Sequence, residues 1–174
     1  MVDKLKWFDR VFDGSLPEGL FPMIVERLRG TPVRIDETIR LTPAKRLVEQ
    51  VDGAWSIQEN LGHLIDLEPL WSGRLEDLLA NKPELRPADL TNLKTHEANH
   101  NASSIEELAH TFREIRTSLV NRFDSLTDEE VRLRAHHPRL DTPMRMIDLC
   151  FFMAEHDDFH LTRMTEIRRA LSSR

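Results

Sequence analysis

The 174-residue chain contains no tyrosine and a single cysteine, Cys150. One thiol excludes an internal disulfide framework and any zinc site built from several thiolates. No apolar run approaches the roughly 20 residues that span a bilayer. The opening segment, from Met1 to Gly14, is charged and lacks the apolar stretch of a signal peptide. Positive charge is not in excess, since 24 Lys and Arg face 30 Asp and Glu for a formal net charge of -6. That balance argues against a nucleic-acid partner, whose phosphates are met by a basic face. Together these absences point to a cytoplasmic protein with neither a membrane nor a nucleic acid as partner. Period-two runs of Val, Ile, Thr and aromatic residues are also missing, as are internal repeats and low-complexity tracts.

What is present is a helical rhythm, with apolar residues recurring every three or four positions. Residues 1–16 read as an N-terminal arm with Trp7, Phe8, Val11 and Phe12 as candidate anchors, and residues 17–174 as one domain. Pro17 suits the first turn of a helix that reaches about Arg29. Gly30-Thr31-Pro32 should interrupt it before the pattern resumes from Val33 to Arg40. Ser56 followed by Glu59 is a capping box, so a long helix is expected from Ile57 to about Ala80. Asn81 and Pro83 end it, and residues 81–103 read as a long connection. Ser103 or Ser104 with Glu106 and Glu107 starts the next helix, from Ile105 to about Phe123. His136 and His137 precede Pro138 in an expected loop, and Thr142-Pro143 should begin a last helix running to Leu171. Four substantial helices with no strand to pack on imply an all-α four-helix bundle, with short extra helical turns in the connections.

Two histidines break the apolar stripe of the last helix. His156 and His160 are four residues apart and share their face with Leu149, Phe152, Met153 and Ile167, whereas Asp157 and Asp158 should point away. An unpaired imidazole on such a face costs free energy. His63 stands at the edge of a similar stripe, beside Leu67 and Leu70. Three neutral imidazoles from two helices suit one divalent ion (Zn, Ni or Fe) and leave a coordination position open, as catalytic sites do. The alternative for each ring is a core histidine bonded to backbone or carboxylate, and for His63 alone that alternative is the stronger. His96-Glu97-Ala98-Asn99-His100 fits the H-E-x-x-H zinc-protease pattern, but its flanks carry no apolar residues at helical spacing to bury it. Glu97 with His100 and Glu107 with His110 lie too close in sequence for a di-iron carboxylate bundle.

The stretch Trp55-Ser56-Ile57-Gln58-Glu59-Asn60-Leu61-Gly62-His63-Leu64, followed by Asp66, Leu67, Glu68 and Trp71, resembles the DinB/YfiT-like superfamily of metal-binding helical bundles. So does Ala154-Glu155-His156-Asp157-Asp158-Phe159-His160-Leu161. His137-Pro138-Arg139 with Thr142-Pro143-Met144-Arg145 is similar to one branch of it. The likeness covers the chain roughly from Pro17 onward. It implies a four-helix bundle, often dimeric, with nickel, zinc or iron at one end. Functions in the superfamily include S-transferases and isomerases that use low-molecular-weight thiols.

Two functions follow. In the first the chain is a metal-dependent enzyme, a thiol-dependent S-transferase or a hydrolase, acting on a small molecule. Glu59 is the candidate catalytic residue there, against its simpler use as a cap. Arg145 and Arg163 could bind an anionic substrate or serve in surface ion pairs. In the second the chain is a non-catalytic, stress-associated bundle with a structural ion. The last helix is apolar almost all round from Met144 to Ala154, which predicts a homodimer through Ile147, Cys150 and Phe151. Cys150 itself reads as an inert packing residue.

Overall fold

The computed structural model describes residues 4–173, so residues 1–3 of the expected arm and Arg174 lie outside the described residues. The four long helices are α1 (Phe21–Arg40), α3 (Ile57–Leu79), α5 (Ile105–Asp124) and α7 (Met146–Ser172). Shorter helices fill the connections: α2 (Ala44–Leu47), α4 (Leu93–Glu97) and α6 (Asp128–Val131), with 3-10 turns at Trp7–Asp9, Glu18–Leu20 and His100–Ala102. Both α1 and α3 pack mainly on α5 and α7, which places α1 and α3 on opposite corners of a bundle. The Ser56 capping box forms as the sequence predicts: Ser56 Oγ accepts from the Glu59 backbone N–H at 3.0 Å, and Glu59 Oε2 accepts from that of Ser56 at 2.7 Å.

Three local expectations are corrected. Gly30-Thr31-Pro32 does not interrupt α1, which runs through it. An internal proline costs about 3 kcal/mol, but Ile24, Val25, Leu28, Thr31, Pro32 and Ile35 form one buried face on both sides of the break. Tertiary burial outweighs the local cost. The helix also begins later than Pro17, which caps the 3-10 turn leading into it. Finally, Thr142-Pro143 does not open the last helix. Residues β1 (Arg134–His137) and β2 (Thr142–Arg145) form an antiparallel hairpin, with Ala135 paired to Met144 and His137 to Thr142. Asp141 takes the left-handed conformation that the turn requires, at φ 51°. The hairpin is tied to the chain after α3 by Leu85 N–H donating to His136 O and His136 N–H donating to Pro83 O, each at 2.9 Å.

The interior is divided. One apolar cluster holds Leu28, Leu75, Phe123 and Met153; a second holds Ile35, Leu61, Phe112 and Met164. Between them lies a polar layer with one residue from each long helix: Thr31, Glu68, Arg116 and Asp157, none more than 1% exposed. Arg116 Nε donates to Glu68 Oε1 at 2.9 Å and its Nη2 to Asp157 Oδ1 at 3.1 Å, while Thr31 Oγ1 donates to Asp157 Oδ2 at 2.7 Å. The expectation that Asp157 points away from the inward-facing stripe is therefore corrected: it is fully buried, because Arg116 and Thr31 bond its carboxylate inside the bundle. Asp158 does face outward, toward Arg27 and Arg34 of α1.

The arm is strapped onto α7. Trp7 packs edge-on against Phe152 with ring centroids 5.0 Å apart, and Phe12 lies 4.6 Å from the same ring. Phe8 and Val11, expected as anchors, stay exposed. Arg145 does not join the histidines: it caps α7, pairs with Asp148 at 2.8 Å, and donates to Gly14 O and Leu16 O of the arm. Ile147 and Cys150 are fully buried within the single chain, so the apolar stretch predicted to seek a second copy is already covered by its own bundle. Only Phe151 of that trio is partly accessible. Burial also pushes the Cys150 thiol well above its ordinary value, which suits an inert packing residue. Among the described residues no helix is long and apolar enough to cross a membrane.

Candidate metal centre

Helices α3 and α7 bring His63, His156 and His160 together. One nitrogen from each ring lies within 4.8 Å of the others, and the ring centroids are 4.5 to 5.3 Å apart. All three side chains are buried, at 3%, 5% and 6% exposure. Burial holds His63 down to about 4 and His156 and His160 well below their ordinary value, the neighbouring rings adding to the effect. Neutral imidazoles are what coordination needs.

Hydrogen bonds decide which nitrogen is free. Thr95 Oγ1 donates its proton to Asp66 Oδ2 at 2.9 Å, so toward His63 it can only accept, and His63 Nδ1 donates to it at 3.1 Å. Asn60 spends its amide N–H groups on Trp55 O and Ser56 O, which turns its Oδ1 to accept from His160 Nδ1 at 2.8 Å. In both rings Nε2 is left with its lone pair. Such partners fix tautomer and orientation in metal sites. His156 differs. Its Nδ1 is buried with no partner among the described residues, none of which fixes its tautomer, and coordination of the ring would. The donor set, its neutrality and this orphaned nitrogen fit a divalent ion.

The rejected H-E-x-x-H segment plays a different part. His96 and His100 fall on separate short helical turns, and His100 Nε2 bonds Asp66 Oδ2 at 2.8 Å. The expectation that nothing buries this segment is corrected, since Thr95 and His100 are buried against α3. Gly62 makes that possible: a Cβ there would lie 2.2 Å from the His100 ring. Glu59 serves as the cap. Partial burial works against it, but hydrogen bonds from Gln50 and Ser56 hold its carboxyl below the ordinary value, and it does not line the cavity described next.

The three rings open into a cavity of about 720 Å³. Trp7, Trp55, Trp71 and Phe152 supply apolar wall, as do Leu67 and Leu70 of α3. Arg163 also lines it, with Nη1 held by Glu166 at 3.1 Å. Asp89 is the one carboxylate among its described lining residues, and its oxygens accept from Thr91 and from the Leu93 N–H.

The sequence matches the DinB superfamily over residues 27–164. The chain belongs to the DinB superfamily. No curated protein matches it at a significant level. Among solved structures it is similar to YfiT from Bacillus subtilis, with a TM-score of 0.79 over 91% of each chain at 17% identity. That protein is described as a probable metal-dependent hydrolase with an unusual four-helix bundle topology. At 17% identity the likeness to YfiT carries the fold and not the reaction.

Sequence reasoning named the three histidines of this DinB protein but missed what orients them. Asp66 stands one helical turn after His63, a visible signal. Thr95 and Asn60 act across elements, and no spacing rule joins them to their rings.

Metal-free protein should lose stability in mild acid. A histidine held neutral in the fold has a lower pKa there than in the unfolded chain, so the unfolded state takes up protons first. Stability is therefore full above about 6.5 and falls as pH drops toward 4, the value to which burial holds both His63 and His137. His63 alone contributes on the order of 3 kcal/mol. Urea melts of chelator-treated protein between about pH 7 and pH 5 should show this decline, and a flat profile would contradict it.

Proposed function

We propose that this DinB protein is a metal-dependent enzyme of the S-transferase or hydrolase type, in which His63, His156 and His160 hold one divalent ion (Zn, Ni or Fe). The observation that carries the reading is three buried neutral imidazoles, two with fixed tautomers, facing a large apolar cavity. Three protein ligands leave a coordination position open, as catalytic sites do and structural four-ligand sites do not. When bound, such an ion lowers the pKa of a coordinated water or thiol and so supplies a nucleophile near neutral pH. Trp7 and Trp55 pack on the histidine rings and exclude bulk water from them. Among the described lining residues the one carboxylate, Asp89, is occupied by its own loop. That favours a reaction needing no side-chain general base, and hence a low-molecular-weight thiol as co-substrate.

Metal-loaded protein, assayed with cysteine as thiol and chlorodinitrobenzene as electrophile, tests this. The sulfur should displace chloride, with release of the thiol proton to solvent, and chelation should abolish the turnover. Turnover of nitrophenyl acetate without thiol would instead mark a hydrolase. Blank results in both assays, with a large loss of stability on chelation, would replace the enzyme by a bundle with a structural ion.

A further inference from the structure

The cavity over the histidines carries cationic groups that a metal site does not use. His63, Leu67, Leu70 and Arg74 fall on one face of α3, and all four line the cavity. Eleven residues of helix place Arg74 about 16 Å from His63 along the axis. Arg74 is 2% exposed, and its guanidinium bonds the Arg86 carbonyl through Nε at 3.1 Å. Arg139 enters from the hairpin with its guanidinium 5.3 Å from the Phe8 ring and 5.7 Å from that of Phe152, and its Nη2 is buried without a partner.

His137 completes the group. Its Nδ1 accepts from the backbone N–H of Arg139 at 3.3 Å and of Leu140 at 3.2 Å, so the ring proton must sit on Nε2. That Nε2–H is buried and finds no acceptor among the described residues. Among the described residues neither Arg74 nor Arg139 has a carboxylate within ion-pair distance, whereas Arg163 and Lys4 share Glu166 and Arg86 takes Asp77. Two of these donors, His137 Nε2 and Arg139 Nη2, are buried without an acceptor among the described residues, which is costly unless something external accepts from them. Mutual repulsion agrees with this picture. Burial first, then Arg139, lowers Arg74 to about 10, and burial with both arginines lowers His137 to about 4.

We infer that Arg74, Arg139 and His137 form an anion subsite, and that the cavity takes an amphipathic acid whose carboxylate-sized group docks there. Its apolar body lies along Leu67, Leu70, Trp71 and Phe152, which carries the far end toward the three histidines. As a statement of substrate class this rests on the proposed enzyme reading. As a binding site it stands without the ion.

The test uses chelator-treated full-length protein, so that no metal can hold the acid. Binding of phenylhexanoate and of its neutral counterpart phenylhexanol is followed by tryptophan fluorescence and calorimetry. The acid should bind at least about tenfold tighter than the alcohol, the worth of a charge-assisted bidentate contact. Arg139→Gln, chosen because that residue is only partly buried, should bring the acid's affinity down to that of the alcohol and so erase the preference; Arg139→Lys should restore part of it. Equal affinities for acid and alcohol in the unmutated protein overturn the subsite whatever the variants do, and so does a preference that survives Arg139→Gln. A subsite confirmed here alongside blank thiol and esterase assays would retain the acid-binding pocket and discard the enzyme.

Discussion

Protein carrying His156→Ala together with His160→Ala is expected to purify without metal, while the unmutated chain carries about one equivalent of a divalent ion. Both imidazoles come from adjacent turns of α7 and lie against the ring of His63, at centroid separations of 5.3 and 4.7 Å. Removing them leaves one imidazole, which cannot retain an ion through purification. Elemental analysis reads the result directly. Smaller changes should follow the orienting bonds: Asn60→Leu frees the His160 ring and Thr95→Val frees that of His63, each weakening metal binding about ten- to a hundredfold. A double variant that kept its metal would place the ion elsewhere and sink the three-histidine site. The nearest rival cluster offers little, because His100 is already committed to Asp66.

The parts of this arrangement that were legible in the sequence are those written in one helix at a time. Ser56 and Glu59 announce the start of α3, and the four-residue spacing of His156 and His160 announces a shared face; both formed as read. What escaped depends on more than one element. Gly30-Thr31-Pro32 looks like a break because local propensity says so, and only the burial of Thr31 and Pro32 against the rest of the bundle reverses it. The hairpin escaped because four-residue strands carrying paired histidines and a proline have no alternation to detect. Yet that hairpin delivers His137 and Arg139 to the cavity. Arg74 was visible as a cation on the His63 face, but that its guanidinium goes without a carboxylate depends on where Asp77 turns, and Asp77 is taken by Arg86 and Lys82.

The polar layer is the clearest case of a signal present but unread, and it carries the largest stability effect. Glu68 sits at a core position between Leu64 and Trp71, Arg116 between Phe112 and Leu119, and Asp157 between Met153 and His160, each on the buried stripe of its helix. Arg116→Met should therefore destabilise the fold by about 3–5 kcal/mol, because it leaves two carboxylates buried with their only cation removed. Burial already raises Glu68 above its ordinary value, and its Oε2 has no partner, so the site has little slack to absorb the loss. Against a typical total of about 5–15 kcal/mol, the variant stands near the edge of unfolding. Adding Glu68→Leu and Asp157→Asn should restore much of the stability, since the layer then does without the charges and their desolvation while the Thr31 hydroxyl keeps an acceptor. Urea denaturation followed by circular dichroism measures both steps. Should Arg116→Met unfold within about 1 kcal/mol of the parent, the layer is not the closed network its geometry describes. Asp157 directly follows His156 on α7, so the single variant should also loosen the histidine cluster, and the triple variant, with the layer refilled, should recover the metal stoichiometry of the parent.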